Sequence, residues 1–332
     1  MSLGSSINGI ICRWFVYISG TEPCLLEDVL VHDHYLPLLL SHDLTVHAQP
    51  TTVAEITTGN RLFNIDGFGC VWYTPIVADF ASPGSASTLT KPSLYPALYK
   101  TIQPPLHDAN FRSICSNTAS KVVLAHIRAA TSTAIVPTNN HPFTFGCHSI
   151  MHNGYISNFR KIKLEMCKAM SEEAYTNIHG ELKAALQKTI NRIVRIQAST
   201  LSITPYEPNS LNVTVTDGRS LIAVRFRDHK TEQPPSLYYS TLAGVTLNRR
   251  FPDHPDGADG PHGKSNSDAK DDEQGKNLDT SKSRREHGNH VIIASEPTTY
   301  KNGEWTLIEK NRAVLVEDGS KVTVEAISYP GA

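Results

Sequence analysis

The sequence predicts an α+β layered sandwich. Short aromatic and β-branched runs recur between residues 12 and 327, a long stretch of helical periodicity separates two groups of them, and one polar segment interrupts the second group without ending it. The 332 residues, 39% hydrophobic, are enough to bury one large core or two smaller ones.

The first strand is expected over 12–18, within "IICRWFVYISG", and the second over 69–73, Gly-Cys-Val-Trp-Tyr. The apolar run 121–128, "KVVLAHIR", suits a strand covered on both faces. A further strand is expected from Phe143 to Met151, followed by a turn at Asn153-Gly154. Residues 159–198 read as helical, with Leu182, Leu186, Ile190, Ile193 and Ile196 at three- and four-residue steps and basic residues between them. Strands return at 211–216, 221–226, 236–240, 290–295, 305–308, 313–317 and 321–327. Thr216-Asp217-Gly218-Arg219 and Glu317-Asp318-Gly319-Ser320 have the chemistry of hairpin turns. The segment from about 250 to 289 is rich in Pro, Gly, Asp, Lys and Ser and nearly free of large apolar residues. It is expected to be a disordered insertion within one domain spanning 12–327.

Composition excludes several classes of function. A net charge of −1 gives no basic field for nucleic acid or an anionic membrane, and no apolar run is long enough to span a bilayer. The first eleven residues lack the pattern of a secretory signal. The six cysteines, at 12, 24, 70, 115, 147 and 167, include no Cys-x-x-Cys pair, so a reducing cytoplasm is expected and the Asn212-Val213-Thr214 sequon carries no meaning. The densest metal-ligand clusters, His32-Asp33-His34 and Cys147-His148, lack zinc-site spacing, so no metal or other cofactor is expected. No Gly-x-Ser-x-Gly elbow marks a serine nucleophile.

Four short motifs have chemical potential. Asn64-Ile65-Asp66-Gly67-Phe68-Gly69 reads as a tight turn with close backbone approach. Arg128 ends a buried-looking strand and needs a carboxylate, whether structural or from a ligand. Asn139-Asn140-His141-Pro142-Phe143 is a polar loop suited to capping or turning. His152-Asn153-Gly154 is either a plain Asn-Gly turn or a pair of donors able to stabilise an oxyanion.

In order along the chain, Cys-Arg-Trp-Phe from Cys12, Asp-Gly-Phe-Gly from Asp66, His-Ile-Arg-Ala-Ala-Thr from His126, Asn-His-Pro-Phe from Asn140 and Met-His-Asn-Gly-Tyr from Met151 resemble the class II glutamine amidotransferases, which are N-terminal nucleophile hydrolases. The resemblance covers about 12–165 and resumes over 211–227 and 290–327. It is strongest to the fungal branch that serves in a cytosolic complex degrading glutathione.

The resemblance implies a four-layer αββα sandwich. It implies Cys12 as nucleophile, Arg128 as the grip on the substrate α-carboxylate, and Asn153 with Gly154 as the oxyanion hole. It places Asp66, Gly67, Thr131 and His141 in the substrate-binding surface. It also implies glutamine or a γ-glutamyl peptide as substrate and a peptidase-like protein as partner. In such enzymes the base is the nucleophile's own α-amine, so residues 1–11 are expected to be a cleaved propeptide or a misassigned extension. A departure lies at Asn177-Ile178-His179-Gly180-Glu181, where the family carries an aspartate that holds the substrate α-ammonium; Glu181 is the nearest stand-in. That departure leaves two alternatives: a catalytically impaired scaffold subunit, or an amidotransferase of another pathway such as ergothioneine biosynthesis.

Overall fold

The computed structural model describes residues 12–31, 66–76, 94–128, 134–169, 182–201, 207–244, 289–299 and 303–330. The propeptide expected at 1–11, the His32-Asp33-His34 cluster, Thr131, the 177–181 departure and nearly all of the 250–289 insertion lie outside these residues.

In chain order the strands are β1 (Arg13–Ser19), β2 (Cys24–Leu25), β3 (Phe68–Thr74), β4 (Tyr95–Thr101), β5 (Ala119–Ser120), β6 (Val122–Ile127), β7 (Phe143–Phe145) and β8 (His148–Tyr155). They continue as β9 (Ser210–Thr216), β10 (Leu221–Arg227), β11 (Tyr238–Ser240), β12 (His290–Ala294), β13 (Thr306–Leu307), β14 (Arg312–Glu317) and β15 (Lys321–Ala326). The helices are α1 (Leu26–Leu30), α2 (Ala109–Ser116), α3 (Phe159–Ala169) and α4 (Leu182–Thr200). One sheet has the order β13-β11-β12-β1-β6-β3-β4 and the other β15-β14-β10-β9-β8-β7, while β2 and β5 pair separately.

The period of two along each strand divides the apolar residues among three cores. Phe15 and Tyr17 of β1, with Phe68 and Cys70 of β3, pack under α1 and α2 through Leu26, Val29, Leu30 and Phe111. Trp14, Val16 and Ile18 of β1 point the other way and meet Met151, Leu221, Ala223, Val314 and Val316 of the second sheet. Ile222, Val224 and Phe226 on the far face of β10 pack against Leu186 and Ile190 of α4. The layers are therefore helix, sheet, sheet, helix, which is the αββα order. Every residue of β6 is buried, which explains why its sequence shows no alternation.

Polar side chains pin the layers together. Between the sheets, the Tyr73 hydroxyl on β3 lies 2.9 Å from Ser149 Oγ and donates to the carbonyl oxygens of Cys147 at 2.9 Å and Thr216 at 3.2 Å. Buried Gln197 ties α4 to the second sheet, its Nε2 donating to the Ser157 carbonyl and Asn209 Oδ1, both at 2.8 Å. Asn212, the sequon asparagine, is buried and donates to the carbonyl oxygens of Pro235 and Ser236. Among the described residues, no helix is long and apolar enough to cross a membrane.

Both expected hairpins form, with Thr216 opposite Leu221 and Glu317 opposite Lys321. Strand β11 pairs with β12 in register Tyr238 to Ala294, so the chain leaves and re-enters the same sheet across the polar segment. The expected strand from Phe143 to Met151 is instead a hairpin, β7 and β8, turning at Gly146-Cys147. The expected turn at Asn153-Gly154 is a correction: both residues lie inside β8, opposite Asn212 and Leu211 of β9. Glycine serves there as a point of close approach, because a Cβ on Gly154 would sit 1.9 Å from the Ser210 carbonyl oxygen. Strand β4, not among the strands expected from the sequence, contains Pro96, tolerated because β4 is an edge strand.

Candidate active site

The site forms where several strand ends of the first sheet meet β8, next to the edge of the second. Arg13 pairs with Ile127, and Phe68 with the same residue from the other side. Continuing each ladder by one step brings Cys12, Arg128 and Gly67 level at one end of three adjacent strands. The Arg128 N–H donates to the Gly67 carbonyl at 2.8 Å. From the second sheet Asn153 reaches across, its Nδ2 donating to the Cys12 carbonyl oxygen at 2.9 Å. Cys12 is half-buried, whereas Arg128 and Asn153 are buried. Sequence reasoning missed the ion pair that follows Cys12 in the chain, between Arg13 and Glu296, whose carboxylate also accepts from Ser236 Oγ. Nothing in the local sequence joins residues this far apart.

Asp-Gly-Phe-Gly and Asn-His-Pro are two halves of one contact. A Cβ on Gly67 would lie 2.3 to 2.7 Å from the Asn140 amide, and one on Gly69 would lie 2.0 Å from the His141 carbonyl oxygen. Only bare backbone at 67 and 69 lets the 139–142 loop lie flat on β3. Of the expected tight turn, Asn64 and Ile65 lie outside the described residues, while Phe68 and Gly69 belong to β3 and, with Gly67, form a docking surface for that loop. His141 is carried into the interior by this packing, ahead of a cis peptide bond to Pro142.

Inside, the His141 ring meets His152 at 4.4 Å and Phe143 at 4.6 Å in edge-to-face arrangements and lies tilted against His126 at 4.6 Å, between ring centroids. His126 Nε2 donates to the His152 carbonyl at 3.2 Å. His126 Nδ1, His152 Nδ1 and both ring nitrogens of His141 are buried without a hydrogen-bond partner. Burial pushes His126 down to about 3, helped by His152 and Arg128. Burial likewise lowers His141, with His126, His152, Lys100 and Arg128 adding repulsion, and it lowers His152. All three rings are neutral near pH 7, and they pack ring on ring. Among the described residues no group of three His, Cys, Asp or Glu could hold a metal ion.

These imidazoles take up protons more readily when the chain unfolds, so their contribution to stability is complete above about pH 6.5 and is lost as the pH falls below it, for His126 down to about 3. His126 should cost about 1.4 kcal/mol per pH unit below 6.5, or about 2 kcal/mol at pH 5, and His141, also strongly lowered, a similar amount. Urea unfolding of the wild type and of His141→Gln should therefore differ in pH dependence by about that amount. Parallel curves from pH 7.5 to pH 5 would show that His141 does not titrate on unfolding.

No protein-family model matches the chain. A Saccharomyces cerevisiae protein described as a probable glutamine amidotransferase, DUG3, is 26% identical over 319 residues, spanning 85% of this chain and 79% of that protein. The structure of a glutamine aminotransferase class-II domain protein from Silicibacter pomeroyi superposes with a TM-score of 0.52 at 18% identity, covering 96% of this chain and all of that one. Over most of its length the chain is thus similar in sequence to a probable glutamine amidotransferase, and it shares its αββα fold with a glutamine aminotransferase class-II domain protein.

Proposed function

We propose that this protein is an amidohydrolase that cleaves a γ-glutamyl amide, either glutamine or glutathione, through Cys12. The observation that carries this reading is the 2.9 Å bond from Asn153 Nδ2 to the Cys12 carbonyl, which holds an amide donor beside the candidate nucleophile. Arg128, level with Cys12 on the next strand, supplies a planar cation suited to a substrate α-carboxylate.

The chemistry needs Cys12 to be the first residue of the mature chain. Its α-amine then takes the thiol proton, and the sulfur attacks the amide carbon to form a tetrahedral oxyanion facing Asn153 and Gly154. The C–N bond breaks as the amine leaves with that proton, and water hydrolyses the resulting thioester, releasing the γ-glutamyl acid and restoring the thiol. The resemblance to the fungal branch favours glutathione catabolism in the cytoplasm with a peptidase-like partner, and Thr131, His141, Asp66 and Gly67 as substrate-lining positions.

The test combines intact mass, N-terminal sequencing and labelling by a glutamine-mimicking diazoketone. The expected result is a chain beginning at Cys12 with one adduct on its sulfur. Cys24, Cys70 and Cys115 are poor competitors for the label, because burial pushes each of these thiols well above its ordinary value. A chain that keeps residues 1–11 and resists the reagent would remove the catalytic reading and favour a scaffold subunit.

A further inference from the structure

Asn140 lies beside Arg128, and nothing above gives it a role in substrate recognition. It is completely buried. Its Nδ2 donates to the Thr101 carbonyl at 2.8 Å, at the end of β4. Its Oδ1 accepts from Arg128 Nη1 at 3.4 Å, and its amide fills the space over Gly67. Arg128 Nη1 also donates to the Ala134 carbonyl at 3.0 Å, to which Asn139 Nδ2 donates as well. The 134–140 loop thus gathers around one edge of the guanidinium, with Asn140 joining it to β3 and β4.

A neutral amide is a specific choice for this position. It restrains the rotation of a guanidinium without cancelling its charge, whereas a carboxylate there would capture the cation in an internal pair. The amide has a second task that a carboxylate also fails, since its nitrogen must donate to the Thr101 carbonyl.

We infer that Asn140 is a positioning residue that orients the Arg128 guanidinium toward the substrate α-carboxylate. This rests on the proposed γ-glutamyl amidohydrolase reading for the identity of the ligand. The orientation of Arg128 can be measured without it.

The experiment uses full-length protein with ¹⁵N-labelled arginine, the Arg128 guanidinium signals being assigned by their loss in Arg128→Lys. In the wild type those signals should be resolved by restricted rotation, and in Asn140→Ala they should broaden or average. In turnover of a γ-glutamyl substrate, Asn140→Ala should raise KM about tenfold with kcat within about threefold, the low end for a hydrogen bond to a charged group. Asn140→Asp should raise KM further, because its carboxylate competes with that of the substrate. A purely structural residue would instead lower the active fraction, reducing apparent kcat at unchanged KM. Arg128 signals identical in the wild type and Asn140→Ala, or an unchanged KM in Asn140→Ala beside an active wild type, would overturn the inference. An inactive wild type whose Arg128 is loosened by Asn140→Ala would overturn the proposed activity and uphold the positioning role.

Discussion

Gly154→Ala is expected to lose at least about 3 kcal/mol of stability and to unfold about 10 °C earlier than the wild type. Two separate costs combine. Gly154 has φ +130, a conformation that L side chains rarely adopt, with a strain of about 1–3 kcal/mol. The new methyl would also lie 1.9 Å from the Ser210 carbonyl oxygen and 2.7 Å from its carbon. Those atoms are the backbone of the neighbouring strand, so no side chain can swing away. Relief requires parting β8 from β9, which is the pairing that holds Asn153 opposite Asn212. Gly146→Ala is a useful control, because Gly146 also has positive φ, +56, yet has nothing within 4 Å of the added carbon. It should cost only about 1 kcal/mol. Thermal unfolding measures both, and equal melting temperatures for the two variants would show that the close approach to Ser210 is unimportant.

Cys12→Ala is expected to lower γ-glutamyl amide hydrolysis by at least about a thousandfold while leaving the melting temperature nearly unchanged. The two effects separate because Asn153 bonds the backbone carbonyl of residue 12 and not its sulfur. The donor geometry therefore survives the substitution, and only the nucleophile is removed. Cys12 is half-buried, so truncating its side chain leaves little cavity. Steady-state rates on glutamine and glutathione, normalised to protein of verified N-terminus, give the answer. Full turnover by Cys12→Ala would move the chemistry to another residue.

Much of the fold is legible in the sequence because strand and helix signals are local. The aromatic and β-branched run expected as a strand over 12–18 became β1, Arg13–Ser19, and the three- and four-residue steps through Leu186, Ile190 and Ile193 became the buried stripe of α4. The turn residues of the hairpins after β9 and β14 did what their backbone preferences dictate. Local signals also misled. An Asn-Gly pair is strong turn chemistry in isolation, but at 153–154 strand pairing with β9 overrode it.

The sequence by itself determined the layered α+β class, the order of most strands and the ordered motifs that carry the family resemblance. Those features depend on residue type and spacing within a few positions. Only the tertiary structure decided that Cys12, Gly67 and Arg128 share one end of three paired strands, and that Asn153 reaches Cys12 from the opposite sheet. It alone packed three neutral histidines from separate motifs into one cluster and laid Asn140 on the bare backbone of Gly67. Each of these is a contact between chemically ordinary residues far apart in the chain, and its energy exists only once register and layer packing have brought the partners together.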